Sequence, residues 1–262
     1  MRSVIAALLS AVLAAGAASA QGVSGMLAPR GGVTDSDATS SSGTGWMDGE
    51  LRFGIAPKTT VLFEAAGGGY DSMASLGGRG QVFWRDPSVA LLGVLAEIAD
   101  RDGLTQTRLG VKGELYLGPV TLRGQGGYVF GDTHNGLEIK DSGYGVLSAG
   151  FYGISALALN GGALLQDGRA TGFGGVEARI PGLPDFLTAT LDGAAGANGY
   201  RQVLVGLRFY FGSGADGPLQ QRHVGQTPSF PAFDVGTSAR RQPGFGSMAG
   251  RCIPGVTSPT CP

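Results

Sequence analysis

The sequence is poor in charge, cysteine and histidine. Asp, Glu, Lys and Arg make up only 15% of its 262 residues, against about 25% in an average domain. The net charge is −1, so nothing marks a nucleic-acid partner. The two cysteines, Cys252 and Cys261, lie within the last eleven residues and cannot staple the body of the chain. Two histidines, His134 and His223, are a thin basis for acid–base or metal chemistry. Beyond residue 20 no run of 18 apolar residues occurs, so no spanning helix is expected. What is abundant is apolar side chain, at 42%, and glycine, at 49 residues. That much apolar material excludes a disordered chain, and the absence of a Gly-X-Y period excludes collagen.

Residues 1–20, MRSVIAALLSAVLAAGAASA, carry the three parts of an export signal. Arg2 is the basic start, Val4 to Ala15 the apolar stretch, and Ala18-Ser19-Ala20 the small-residue cleavage site before Gln21. The expectation is a mature chain that begins at Gln21 and resides outside the cytoplasm.

The mature sequence alternates with a period of two. In YRQVLVGLRFYF, Tyr200–Phe211, one parity holds Val203, Val205, Leu207, Phe209 and Phe211, and the other holds Gln202, Leu204, Gly206, Arg208 and Tyr210. In RLGVKGELYL, Arg108–Leu117, Leu109, Val111, Leu115 and Leu117 oppose Arg108, Gly110, Lys112, Glu114 and Tyr116. Such alternation gives strands with one apolar and one polar face. Strands are expected near 46–56, 59–67, 78–85, 88–99, 104–117, 119–130, 143–153, 155–166, 170–180, 186–195 and 200–211. Tight turns alternate with longer connections, near 68–77, 99–104, 131–142, 166–170 and 195–199. Closure requires one more strand, for which 21–30 is the candidate, followed by a polar loop over 31–45. The expectation is an all-β, antiparallel up-and-down barrel of about 12 strands, with 10 as the competitor. It occupies 21–212.

The charged residues share one parity. Glu50, Arg52, Glu64, Arg79, Arg85, Glu97, Arg108, Lys112, Glu114, Arg123, Glu177, Arg179, Asp192 and Arg208 all fall on the non-apolar side of their strands. Alternation alone also fits an exported soluble barrel. Three features favour the membrane. The chain carries an export signal, and aromatic residues such as Phe53, Trp84, Tyr128, Phe130, Phe151, Phe209 and Phe211 sit near strand ends. Most strands also reach the roughly 9–11 residues that a tilted crossing requires. The charged set then lines the lumen.

These features, with the late strand VLVGLRFYFG, resemble bacterial outer-membrane β-barrel proteins. The resemblance identifies an architecture and no single activity. It implies outer-membrane lipid and the barrel assembly machinery as partners, the latter reading a terminal aromatic for which Phe211 is the match. Here a further 51 residues follow that position.

Residues 213–262 are rich in Gly, Pro, Ser and Gln without periodicity, and read as an unstructured tail. Strand parity places the tail in the periplasm, where a partner is conceivable for Arg222-His223 or Arg240-Arg241, although solvated charges are the simpler reading. Cys252 and Cys261 favour a disulfide there over free thiols or metal. No cofactor or metal site is expected: the glycine clusters at 124–127 and 172–175 precede no helix, and Asp35–Asp37 and Asp100–Asp102 read as loop aspartates. His134, beside Asp132, Thr133 and Asp141, allows a rim hydrolase, against the simpler reading of a solvated loop histidine. Three functions remain: a small pore for polar solutes or anions, a closed structural or interaction barrel, and that rim hydrolase.

Overall fold

In the computed structural model the described residues are 22–36, 39–70, 73–101, 103–134, 137–197, 199–225 and 240–241. Alternating sequence becomes long strand. The barrel strands are β1 (Val23–Ser36), β2 (Thr39–Ala56), β3 (Thr59–Tyr70), β4 (Met73–Asp86), β5 (Ala90–Arg101), β6 (Leu104–Leu117) and β7 (Val120–Gly131). After two short loop strands, β8 (Thr133–His134) and β9 (Leu137–Glu138), follow β10 (Ser142–Ile154), β11 (Leu157–Gln166), β12 (Arg169–Arg179), β13 (Leu187–Gly196) and β14 (Arg201–Gly212). A helix, α1 (Leu219–Gly225), and a short strand, β15 (Arg240–Arg241), complete the described chain.

Twelve strands close in sequential antiparallel order, with β1 pairing to β14 through contacts such as Leu27 opposite Phe209 and Val33 opposite Val203. Closure leaves no unpaired sheet edge, which lipid demands. Strands of 10–18 residues exceed the usual length in soluble sheets. Among the described residues no helix is long and apolar enough to cross a membrane. The fold is an antiparallel up-and-down transmembrane barrel, and its polarity is inverted relative to a soluble protein. Val94 and Val111 are each 58% exposed and Leu147 70%, whereas Glu97 and Arg108 are each 2% exposed.

The N-terminal hairpin corrects the sequence reading. The expected strand at 21–30 is longer, and most of the expected polar loop at 31–45 is strand. Val33 and Gly43 face one another in the β1–β2 ladder, as do Thr34 and Ser42. Thr, Ser and Gly there lack apolar alternation, yet closure supplies each strand with two partners, and pairing overrides local pattern. Pro29 is accommodated within β1, opposite Met47.

The connections also differ from expectation. The end carrying residues 57–58, 118–119 and 155–156, called here the turn end, also receives the end of β14. At the opposite, loop end, most connections are as tight, because β3, β4 and β5 extend into the segments read as long loops. The turn at 167–168 is an example: Asp167 and Gly168 both take positive φ, 52° and 71°, as a two-residue hairpin of the tightest type requires. At that end, among the described residues, only 132–141, between β7 and β10, is an extended loop.

Candidate functional site

The barrel interior is the candidate site, and strand register builds it. Glu50 on β2 lies opposite Glu64 on β3, Glu64 opposite Arg79 on β4, Arg79 opposite Glu97 on β5, and Glu97 opposite Arg108 on β6. Five charged side chains from five consecutive strands thus form one cross-strand belt. Arg79 bridges its neighbours, with Nη2 2.6 Å from Glu97 Oε2 and Nη1 3.1 Å from Glu64 Oε2. Arg108 Nη1 donates to Glu97 Oε1 at 2.9 Å, and its Nη2 donates across the barrel to Gln166 at 2.7 Å. Glu50 accepts from Nε of Arg52 at 2.8 Å.

Two further clusters complete the interior. Glu114 receives Lys112 at 3.2 Å, with Arg123 at 4.0 Å, and Arg123 donates to the Tyr152 hydroxyl at 2.7 Å. On the other wall Arg208 pairs with Glu177, which also accepts from the hydroxyls of Thr188 at 2.8 Å and Tyr210 at 2.6 Å. Small residues make room for these groups. A Cβ on Gly150 would lie 2.8 Å from Arg123 Nη1 and 3.0 Å from the Tyr152 hydroxyl. Buried charges are tolerated when paired, and register gives each charge of the belt and of the two clusters a counter-charge within 4.0 Å.

Of the fourteen charged positions read from the sequence, twelve are buried inside the barrel. Arg85 and Arg179 are half-buried at the turn end. The sequence reading missed Arg30 and Asp48, which are also buried and form an ion pair, with Arg30 Nη1 3.3 Å from Asp192 Oδ2. Asp48 precedes Glu50 and Arg52 at the same parity, so its signal was present. Arg30 lay in the segment with poor alternation.

The tail is the larger correction. Residues 213–225 form turns and helix α1, packed into the turn-end mouth. Leu219, with no exposed surface, packs on Tyr152 and Ala158. Arg222 and His223, read as solvated, are 4% and 2% exposed. His223 Nε2 lies 2.8 Å from Glu177 Oε2, and its Nδ1 lies 3.1 Å from the Tyr152 hydroxyl. Burial lowers the His223 pKa from its ordinary value, against the opposing pull of Glu177. A hydrophobic anchor and a carboxylate partner inside the barrel override the disorder-prone composition.

Farther along, β15 pairs with β9, setting Arg240 opposite Glu138 and Arg241 opposite Leu137, at the loop end. Residues 213–225 thus lie at the turn end and Arg240–Arg241 at the loop end. The loop 132–141 turns inward too: Ile139 is buried among Leu104, Val129 and Tyr144. His134 is exposed on that loop, while Asp141 accepts from the Gly131 amide at 2.9 Å and Asp132 from the Thr133 amide at 2.6 Å. The segment 1–20, Cys252 and Cys261 lie outside the described residues.

No protein-family model matches the chain, and no curated relative matches it in sequence. Solved structures match it in shape. The KdgM porin is similar with a TM-score of 0.56 at 8% identity, covering 71% of this chain and 99% of that one. An outer membrane channel from Pseudomonas putida F1 is similar with a TM-score of 0.54 at 12% identity, covering 72% of this chain and 95% of that one. At such identity the likeness is one of fold. The fold is that of bacterial outer-membrane β-barrel proteins, and its neighbours include a porin and a channel.

Proposed function

We propose that this protein is a small, self-plugged pore of the bacterial outer membrane, passing small polar solutes with a weak preference for anions. The observation that carries the reading is the charged inner wall. Buried inside are Arg30, Arg52, Arg79, Arg108, Lys112, Arg123, Arg208 and Arg222, against Asp48, Glu50, Glu64, Glu97, Glu114, Glu177 and Asp192. Half-buried Arg85 and Arg179 add to the positive side. Basic side chains facing a pore favour anions, and twelve strands lie between filled eight-stranded barrels and the open channels of sixteen or more. In this reading the turn end, with α1, faces the periplasm, the apolar outer face meets outer-membrane lipid, and Phe211 serves the assembly machinery. His134 carries no catalytic role.

The experiment is conductance of the mature protein in a planar lipid bilayer. Small, weakly anion-selective steps are expected, and substituting Arg108 and Arg123 together by Gln shifts the preference toward cations. The competing reading is a closed structural barrel, favoured by the directly paired belt from Glu50 to Arg108. Under it the bilayer stays silent with folded protein, and the double substitution only destabilises the barrel.

A further inference from the structure

The two described parts of the tail sit at opposite ends of the barrel. α1 begins at the turn-end rim, where Gln220 donates to the Gly118 carbonyl, and runs inward until His223 lies on Glu177. β15 pairs with β9 at the loop end. The fourteen residues 226–239 join them. An extended chain of that length reaches about 50 Å. Tilted barrel strands of 12–14 residues, such as β7 and β6, rise roughly 30–35 Å along the axis. The join is long enough for one direct crossing.

Two routes connect the two ends. Over the outer wall the chain would lie in lipid with its backbone N–H and C=O groups unpaired, because the closed barrel offers no free strand edge. The other route is the lumen.

The inner wall favours that route. Trp46 on β2, Leu95 on β5 and Leu204 on β14 are buried, yet none belongs to an apolar cluster of the described residues. Leu204 has no exposed surface although its register partners are Asp192 and Gly32. The indole nitrogen of Trp46, the side-chain amide of Gln106 and the hydroxyl of Thr190 are also buried, without hydrogen-bond partners among the described residues. Water filling a lumen of this width would wet such groups, and an empty lumen would leave them unsatisfied. A polypeptide lying over them resolves both problems, since its backbone supplies donors and acceptors and its side chains supply apolar cover. The joining segment, QTPSFPAFDVGTSA, brings Phe230, Phe233 and Val235 with a single charge, Asp234. Among the described residues eight Arg or Lys and seven Asp or Glu are buried, so that one carboxylate evens the interior charge.

We infer that residues 226–239 occupy the lumen, so that the chain passes through its own barrel and residues 242–262, with Cys252 and Cys261, emerge at the loop-end face. The barrel is then a conduit that displays its own C-terminal segment. The passage holds whichever way the barrel inserts. Display on the cell surface rests on the reading above, which sets the turn end in the periplasm.

The test is labelling of the full-length protein in intact cells with a membrane-impermeant polyethylene-glycol maleimide after mild reduction. The two native cysteines report the tail. In a Cys252→Ser, Cys261→Ser background, Lys140→Cys reports the loop end, Lys58→Cys the turn end and Phe233→Cys the joining segment. The native cysteines and Lys140→Cys are expected to shift on gels from intact cells, and Lys58→Cys only after the outer membrane is permeabilised. In the folded barrel in detergent, Phe233→Cys resists the small thiol reagent MTSET and reacts fully after boiling. Heat-modifiable mobility on gels shows that each variant is folded. Native cysteines that label together with Lys58→Cys and apart from Lys140→Cys overturn the passage, as does Phe233→Cys reacting in the folded barrel as fast as Lys58→Cys. If the native cysteines and Lys140→Cys stay protected until permeabilisation while Lys58→Cys labels at once, the passage stands and only the orientation is overturned. Conductance decides the pore reading separately, since a silent bilayer leaves all these labelling results unchanged.

Discussion

At the scale of single residues, adjacent positions occupy opposite environments. Val111 and Lys112 are neighbours in the middle of β6, the first 58% exposed on the outer face and the second buried beside Glu114. Val111→Arg therefore costs about 2–4 kcal/mol near the midplane, and Lys112→Ala costs far less. Urea titration of folded barrels in lipid vesicles checks the ranking, and a reversal would mean the register is off by one residue. His223 gives a second residue-scale expectation. Glu177, Arg208, Arg123, Tyr152 and Tyr210 surround it, and burial lowers its pKa against the pull of Glu177. A group whose folded pKa is depressed contributes stability above its unfolded value and loses it as pH falls. Docking of α1 is thus complete above the ordinary value of 6.5 and weakens progressively below it. Protection factors for amide hydrogen exchange at residues 219–223, corrected for the intrinsic rate at each pH, should fall between pH 7.5 and 5 in the wild type, and His223→Gln should flatten that dependence.

At the scale of elements, β1 and α1 show how context overrides composition. β1 alternates poorly and contains Pro29, yet it closes the barrel between β2 and β14. α1 is only seven residues long, too short to persist in water alone. It is held by Leu219 in the pocket of Tyr152 and Ala158, by His223 on Glu177, and by Gln220 on the Gly118 carbonyl. Leu219→Asp buries a charge without a partner and should release the helix while the barrel persists. Deleting 213–262 should likewise leave a folded barrel, since β14 ends at Gly212, and should raise single-channel conductance. Failure of that truncated barrel to fold would show that the plug is required for the wall itself.

At the scale of the whole molecule, the interior is polar and the exterior apolar, so stability depends on a medium that accepts the outer face. Folding in detergent or lipid should give a β-type circular dichroism spectrum and recovery with outer membranes on fractionation. A helical spectrum, or full recovery in the soluble periplasmic fraction, would refute the barrel. The belt from Glu50 to Arg108 belongs to this scale too, because its five members are spread over nearly sixty residues and meet only through four cross-strand registers.

Much of this architecture was legible in the sequence because a strand repeats every two residues. Which face of β6 or β14 carries charge follows from alternation alone, and so do most of the strands, whereas turning the set from Glu50 to Arg208 inward also took the export signal, the aromatic strand ends and the strand lengths. The polar hairpin was not legible, since Thr34 and Ser42 have no apolar rhythm and are strand only because each has a partner. The pairing of Arg30 with Asp48 and Asp192, the belt, and the docking of Arg222 and His223 were equally hidden. They depend on registers and on a returning segment that bring distant residues within hydrogen-bonding distance. Local periodicity fixes which side chains share a face. Only closure of the sheet, and the need of each buried charge for a counter-charge, decides what each meets.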